Sequence, residues 1–423
     1  MKRIISNGRI IDPANGRDEI ADLAIIHGVI GADDRDERHA EIIDATGLIV
    51  APGVIDIHVH LREPGFGWKE TIETGARAAA AGGFTTIVAM PNTSPVADSP
   101  GTIGWIKDRA AQVACVNVLP TGAITMGLAG EELAPIGSLA QAGIVAITDD
   151  GHCVQNNELM RRAVEYARMV GVPLLDHCQD YNLVGKGVVH EGYWSTLLGL
   201  PGWPAAGEEA IVMRNILLAE LCDHHIHCQH ISAAGSVRLL REARSRGVKI
   251  SGEICPHHIA LTDESIQNFD TNYKMNPPLR TQADIDALLA GVADGTLDIL
   301  ASDHAPHAKF EKEVEFDQAP FGILGLETEL GLFLDILVHK TKRIELPRLI
   351  EMFTANPARL LKLNAGTLSA GVAADVTLID PDLEWSVDSS SSESLSCNTP
   401  VNGWKLRGRA VRTIVAGETV WKL

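Results

Sequence analysis

His58 and His60 stand two residues apart in Ile55-Asp56-Ile57-His58-Val59-His60. On a β-strand such a pair shares one face. Two imidazoles on one face at a strand end can ligate a metal ion, or serve as hydrogen-bonded polar residues. His177 closes the run Pro173-Leu174-Leu175-Asp176-His177, and His230 closes Ile226-His227-Cys228-Gln229-His230. Asp303 follows Leu300-Ala301-Ser302 and precedes His304-Ala305-Pro306-His307. A carboxylate there can bind a metal and also carry a proton. Asp149 and Asp150, in Thr148-Asp149-Asp150-Gly151, read as a turn or helix cap, or as a source of one bridging carboxylate. Four imidazoles with two carboxylates form a nitrogen and oxygen donor set suited to zinc, with positions left for water and substrate. Manganese and iron accept the same ligand types.

These residues need elements that bring them together. Eight β-rich apolar runs recur: Val54–His60, Thr85–Asn92, Val116–Thr121, Ile144–Asp150, Val172–His177, Ile226–His230, Lys249–Cys255 and Leu297–Asp303. Helical spacing fills intervals such as Asn157–Val170, Glu208–Cys222 and Ala234–Arg246. Eight β-α alternations predict an α/β chain with a (β/α)8 TIM barrel, against a doubly wound open sheet as the alternative. No G-x-G-x-x-G or G-x-x-x-x-G-K-[ST] follows any of the runs, which removes support for a nucleotide fold. In a barrel, the C-terminal strand ends carry the active site. Eight histidines (His58, His60, His177, His230, His257, His258, His304 and His307) fall at or just past those ends. His224 and His225 are expected in a solvated loop, with Cys222 and Cys228 buried. Residues 1–51 and 365–423 alternate short apolar runs with turns and are expected to build one small β-sandwich domain from both termini. The catalytic barrel would then span 52–364. Ser386 to Ser396 reads as a surface loop.

The chain of 423 residues has 36 Lys+Arg against 55 Asp+Glu, a formal charge of −19. That balance disfavours nucleic acid and anionic membranes, which need clustered Lys and Arg. It leaves small anionic substrates open, because these respond to local fields. Seven scattered cysteines without C-x-x-C predict reduced thiols rather than a disulfide framework. No apolar signal region and no run of about 18 apolar residues is present, so a cytoplasmic protein is expected.

Gly53-Val54-Ile55-Asp56-Ile57-His58-Val59-His60-Leu61-Arg62-Glu63-Pro64-Gly65 resembles the signature of dihydroorotases in the amidohydrolase superfamily. Ala89–Thr93, Thr148–Gly151, Asp176–Cys178, Gln229–Ser232, Lys274–Arg280 and Ser302–His307 resemble further blocks of that family, in its order. The resemblance implies reversible cyclisation of N-carbamoyl-L-aspartate to L-dihydroorotate in pyrimidine biosynthesis. It implies one or two zinc ions, two being favoured, held by His58, His60, Asp150, His177, His230 and Asp303. Asp303 would move the proton. His60, Arg62, Asn92, Asn276 and His307 would position substrate, with backbone contacts from Phe321 and Gly322. His257, His258 and His304 are left as structural residues or as supports behind the ligands, and Asp56 is expected to orient a ligating histidine.

Hydantoinases, allantoinases and many dihydroorotases bridge two metals with a carboxylated Lys on strand four. This chain has no Lys in Thr148-Asp149-Asp150-Gly151, so it resembles the bacterial branch with an Asp bridge, and the block assigns Asp150. The competing enzyme reading is a hydantoinase (dihydropyrimidinase) or allantoinase. A third reading is a non-catalytic scaffold for aspartate transcarbamoylase, which would be expected to lack the six ligands kept here. A homo-oligomer, expected as a dimer, and association with aspartate transcarbamoylase are implied partners. Bound metals with Arg62 would make the pocket locally cationic despite the acidic whole.

Overall fold

The computed structural model describes residues 2–31 and 40–423. Parallel strands form a closed ring in chain order. Strand one (Val54–Val59) pairs with strand two (Phe84–Ala89), and two pairs with strand three (Asn117–Pro120). Strand five (Leu174–Asp176) pairs with six (Ile226–Cys228), six with seven (Ile250–Ile254), and seven with eight (Ile299–Leu300). A bridge between Val59 and His304 closes eight onto one. The result is the expected (β/α)8 barrel with a terminal β domain.

The fourth position departs from expectation. Ile144–Asp150 forms no continuous strand, and Ile147 alone bridges Gly122 on one side and Leu174 on the other. The flanking chains explain this. Val145 donates to the Pro120 carbonyl and Ile147 to that of Pro173. Neither proline has an N–H to donate back.

The helix Asn157–Val170 forms as its sequence dictates. Asn156 caps it by accepting from the backbone N–H groups of Glu158 and Leu159. Met160, Ala163, Val164 and Ala167 bury one face, and Gly171 ends it at φ 79°. Helices Ala206–Cys222 and Ala234–Ser245 match their expected spans within two residues. Ile55 and Ile57 pack with Val88, Leu175, Ile299 and Ala301 from around the ring, so the strands carrying the site share a dry core.

Both termini enter one hydrogen-bonded sheet of eight strands. Ile49–Pro52 runs parallel to Lys2–Asp12 and antiparallel to Val376–Ser386, joining the two ends of the chain. Ile5, Ile10, Leu23, Ile25, Val50, Val376, Leu378 and Ile414 form its separate core. Ser386–Ser396 is not simply a surface loop. Ser394 and Ser396 are buried, Ser394 donating to Glu70 and Ser396 Oγ to the Lys69 carbonyl at 2.6 Å. A run of hydroxyls satisfies a polar interface as well as it satisfies water. No helix among the described residues is long and apolar enough to cross a membrane.

Candidate metal centre and substrate cavity

The six expected donors converge at the C-terminal strand ends and are all buried. Asp150 lies between two pairs of imidazoles. Its Oδ2 is 3.2 Å from Nε2 of both His58 and His60. Its Oδ1 is 3.5 Å from His177 Nδ1 and from His230 Nε2. Asp303 joins the first pair, its Oδ1 lying 3.4 Å from His58 Nε2 and 3.2 Å from His60 Nε2. These atoms form overlapping groups able to hold a metal ion, with Asp150 shared between them. His58 Nε2 and Asp150 Oδ1 are buried without a hydrogen-bond partner, as expected of donor atoms turned toward a cation. Burial by itself would raise the Asp150 carboxyl. The facing His58, His177 and His230 reverse this and hold it well below the usual carboxylate range.

The far side of each ring sets which nitrogen faces the centre. His58 Nδ1 lies 2.6 Å from Glu253 Oε1, and Asn92 Oδ1 accepts from His60 Nδ1 at 2.9 Å. Each ring is thereby held with its Nε2 toward Asp150. His177 is turned round, with Nε2 donating to Gln179 Oε1 at 2.9 Å and Nδ1 facing inward. Glu253 Oε2 also meets His227 Nε2 at 3.0 Å.

The expectation for Asp56 needs correction. Its Oδ1 accepts from the backbone N–H of His58 and of Ser302, and Ser302 Oγ donates to its Oδ2, so it braces backbone rather than an imidazole. The His58 ring edge is met instead by Glu253 of strand seven. His224 and His225 lie in the loop before strand six, as expected, but are half-buried rather than freely solvated. His224 Nε2 donates to the Val172 carbonyl at 2.9 Å, and His225 Nε2 lies 2.7 Å from Ser251 Oγ. Cys222 and Cys228 are buried, as read. Asp149 accepts from the backbone N–H of Ile124 and Thr125, as a turn residue does. His304 braces Gly325, whose N–H meets its Nδ1 at 3.2 Å.

Losing the Glu253 anchor would free the His58 ring. Glu253→Gln is expected to weaken metal affinity by about 10–100-fold with the fold retained. Equilibrium titration of metal-stripped protein checks this, and unchanged affinity would remove the orienting role.

A cavity of about 280 Å³ opens beside the donors. His60, Arg62, Asn92, Asn276, His307, Phe321 and Gly322 all line it, together with Asp150 and Asp303. Arg62 donates Nε to the Pro306 carbonyl at 3.1 Å, and its Nη2 lies 3.4 Å from His307 Nε2. Burial lowers Arg62 to about 10, against the pull of Asp303 and Asp150. It is still a full cation at neutral pH. Burial, with Arg62 and Lys69 nearby, pushes His307 down to about 2. That neutral ring donates Nε2–H to the Phe321 carbonyl at 2.8 Å.

Arg62, His230 and Asp303 have φ of 61°, 32° and 47°. Left-handed backbone costs a residue with a Cβ about 1–3 kcal/mol and concentrates at functional sites. At Gly322, φ is 153° and a Cβ would meet the Ala305 carbonyl oxygen at 2.5 Å and the His307 ring at 2.7 Å. Only glycine lets the loop approach this closely.

The Dihydro-orotase-like family model matches residues 47–236, and the Amidohydrolase family model matches residues 206–420. A dihydroorotase from Citrifermentans bemidjiense is 49% identical, covering 100% of both chains. One from Pelotomaculum thermopropionicum is 51% identical, over 99% of this chain and 98% of that one. The chain belongs to the dihydroorotase family. Among solved structures, the L-hydantoinase (dihydropyrimidinase) from Arthrobacter aurescens superposes with a TM-score of 0.90 at 26% identity, covering 100% of this chain and 96% of that one. A dihydropyrimidinase from Brevibacillus agri superposes at 0.88 with 24% identity, which bears on the fold alone.

Three supporting residues of this dihydroorotase-family site were not among the residues expected from the sequence. Glu253 and Gln179 orient His58 and His177. Asn398 accepts from the His307 backbone N–H and donates to the carbonyls of Ala305 and Gly322, each at 3.0 Å. Only Glu253, a lone acid inside an apolar strand, could have been flagged as a buried polar residue needing a partner.

Proposed function

We propose that the chain is a zinc-dependent dihydroorotase that interconverts N-carbamoyl-L-aspartate and L-dihydroorotate. The observation that carries this reading is Asp150, whose two oxygens face separate imidazole pairs beside a cavity that also holds Arg62. The donor set fits two zinc ions: His58, His60 and Asp303 on one side, His177 and His230 on the other, with Asp150 shared. When bound there, zinc would lower the pKa of a water to about 7 and polarise a carbonyl.

The remaining steps belong to the chain's own residues. In ring opening, Asp303 takes the proton of the attacking water and returns it to the leaving ring nitrogen. In ring closure, it accepts a proton from the carbamoyl nitrogen and delivers it to the departing carboxylate oxygen, which leaves as hydroxide and takes a second proton from solvent to become water. Facing His58 and His60 outweigh burial and hold Asp303 below the usual carboxylate range, so it begins as a base. Arg62 holds the substrate carboxylate remote from the reacting bond through charge-assisted hydrogen bonds. Asn92, Asn276 and His307 position the ring, and the Phe321–Gly322 backbone borders it.

A ring without that carboxylate leaves Arg62 unpaired. Assayed side by side, dihydroorotate should exceed hydantoin and allantoin in kcat/KM by about 10²-fold or more. No turnover of dihydroorotate by zinc-loaded protein would overturn the reading. Arg62→Ala should raise KM by about 10–100-fold with a smaller change in kcat, since a charged hydrogen bond contributes about 1.5–3 kcal/mol. Steady-state kinetics with dihydroorotate decide it, and an unchanged KM would remove the carboxylate clamp.

A further inference from the structure

Beyond the six donors lies a second cluster that the proposed chemistry does not use. Cys255 ends just past strand seven, and His257 and His258 begin the short helix His257–Ala260. One ligand atom from each lies within 4.8 Å of the other two. All three residues are buried, Cys255 completely. His258 Nε2 donates to the Pro277 carbonyl at 3.0 Å, which leaves Nδ1 as the unprotonated nitrogen, and that Nδ1 has no hydrogen-bond partner. His257 Nε2 is likewise buried without a partner. Two imidazole nitrogens buried without partners are costly in a dry interior. Burial holds His257 well below the usual imidazole range and lowers His258 to about 4, so both rings are neutral and can offer a lone pair.

We infer that Cys255, His257 and His258 form a further metal site, separate from the Asp150 centre, for a thiophilic ion of the zinc class. One thiolate and two imidazoles are the donors such ions select. On binding, Cys255 gives its proton to solvent as the thiolate takes the metal, and the two orphaned nitrogens gain their missing partner. The site has a structural consequence. It ties the end of strand seven to the segment anchored at Pro277, next to Asn276 on the cavity wall. It therefore braces the substrate pocket from behind.

The Asp150 centre contains only nitrogen and oxygen donors, so sulfur gives the new site its own signature. The test is to strip the whole chain of metal, titrate it with cobalt(II) alone and record the near-ultraviolet sulfur-to-cobalt charge-transfer band. Cys178 Sγ and Cys228 Sγ lie 3.5 and 4.0 Å from Asn215 Nδ2, and a band arising from either would persist in Cys255→Ser. The band is expected in the parent, lost in Cys255→Ser together with one bound cobalt per chain, and weakened in His258→Gln, which keeps a donor for Pro277. No band in the parent, or an undiminished band in Cys255→Ser, overturns the site. This readout does not depend on which cyclic amide the enzyme turns over.

Discussion

Asp303→Asn is expected to lower kcat on dihydroorotate by about 10³-fold or more while the fold survives. The size follows from two losses. An amide cannot take the proton of the attacking water, and general acid–base catalysis alone is worth about 10²–10⁴-fold. The substitution also removes one carboxylate from the His58–His60 side of the centre, where Asp303 Oδ1 lies within 3.4 Å of both Nε2 atoms. The backbone should tolerate the change. Asp303 has φ of 47°, a conformation that Asn adopts more readily than most residues. The side chain keeps its volume in a site that is 3% exposed. The melting temperature should therefore shift by only a few degrees, and KM should change little compared with kcat. Near-native turnover in Asp303→Asn would remove the proton-carrying role.

The second large effect is at Asp150. Asp150→Ala should leave the His58–His60 and His177–His230 pairs without the one group both share. Losing an outer partner of a ligand already weakens metal binding by about 10–100-fold, and losing the shared carboxylate should exceed that. The variant is expected to retain at least one zinc fewer per chain after gel filtration, with turnover down by about 10³-fold. Excess zinc should restore occupancy of one side without restoring the rate, because Asp303 and the opposing pair no longer act on a common centre. Elemental analysis with a zinc-titrated assay checks both halves. Unchanged zinc content together with unchanged rate would remove Asp150 as the bridge. Asp149→Ala serves as the contrast. Asp149 caps the turn at Ile124 and Thr125, so its loss should lower stability and leave metal content unchanged.

The donors were legible in the sequence because strand ends are local features. A hydrophobic run that stops at His or Asp marks both the strand and the residue it presents, and His60, His177, His230 and Asp303 all followed that rule. Asp150 was placed by resemblance rather than by spacing, since a tandem Asp offers two candidates to any local reading. The orienting partners were not legible. Glu253 reaches His58 across 195 positions, and nothing near either residue encodes the meeting. Asn398 reaches His307 across 91 positions from beyond a serine-rich stretch that looked solvated. The fourth strand failed for a different reason. Its own residues suit a strand, but its neighbours present Pro120 and Pro173, and pairing depends on both sides. The net charge of −19 says nothing of the pocket, where Arg62 lies with Asp150, Asp303 and the clustered imidazoles.

The most direct measurement is the turnover of dihydroorotate by chelator-stripped protein, followed as zinc is returned in known amounts per chain. The expected result is no detectable turnover without metal, a rise as the Asp150 centre fills, and a plateau that Asp303→Asn never approaches. Full turnover by the metal-free chain would contradict the account.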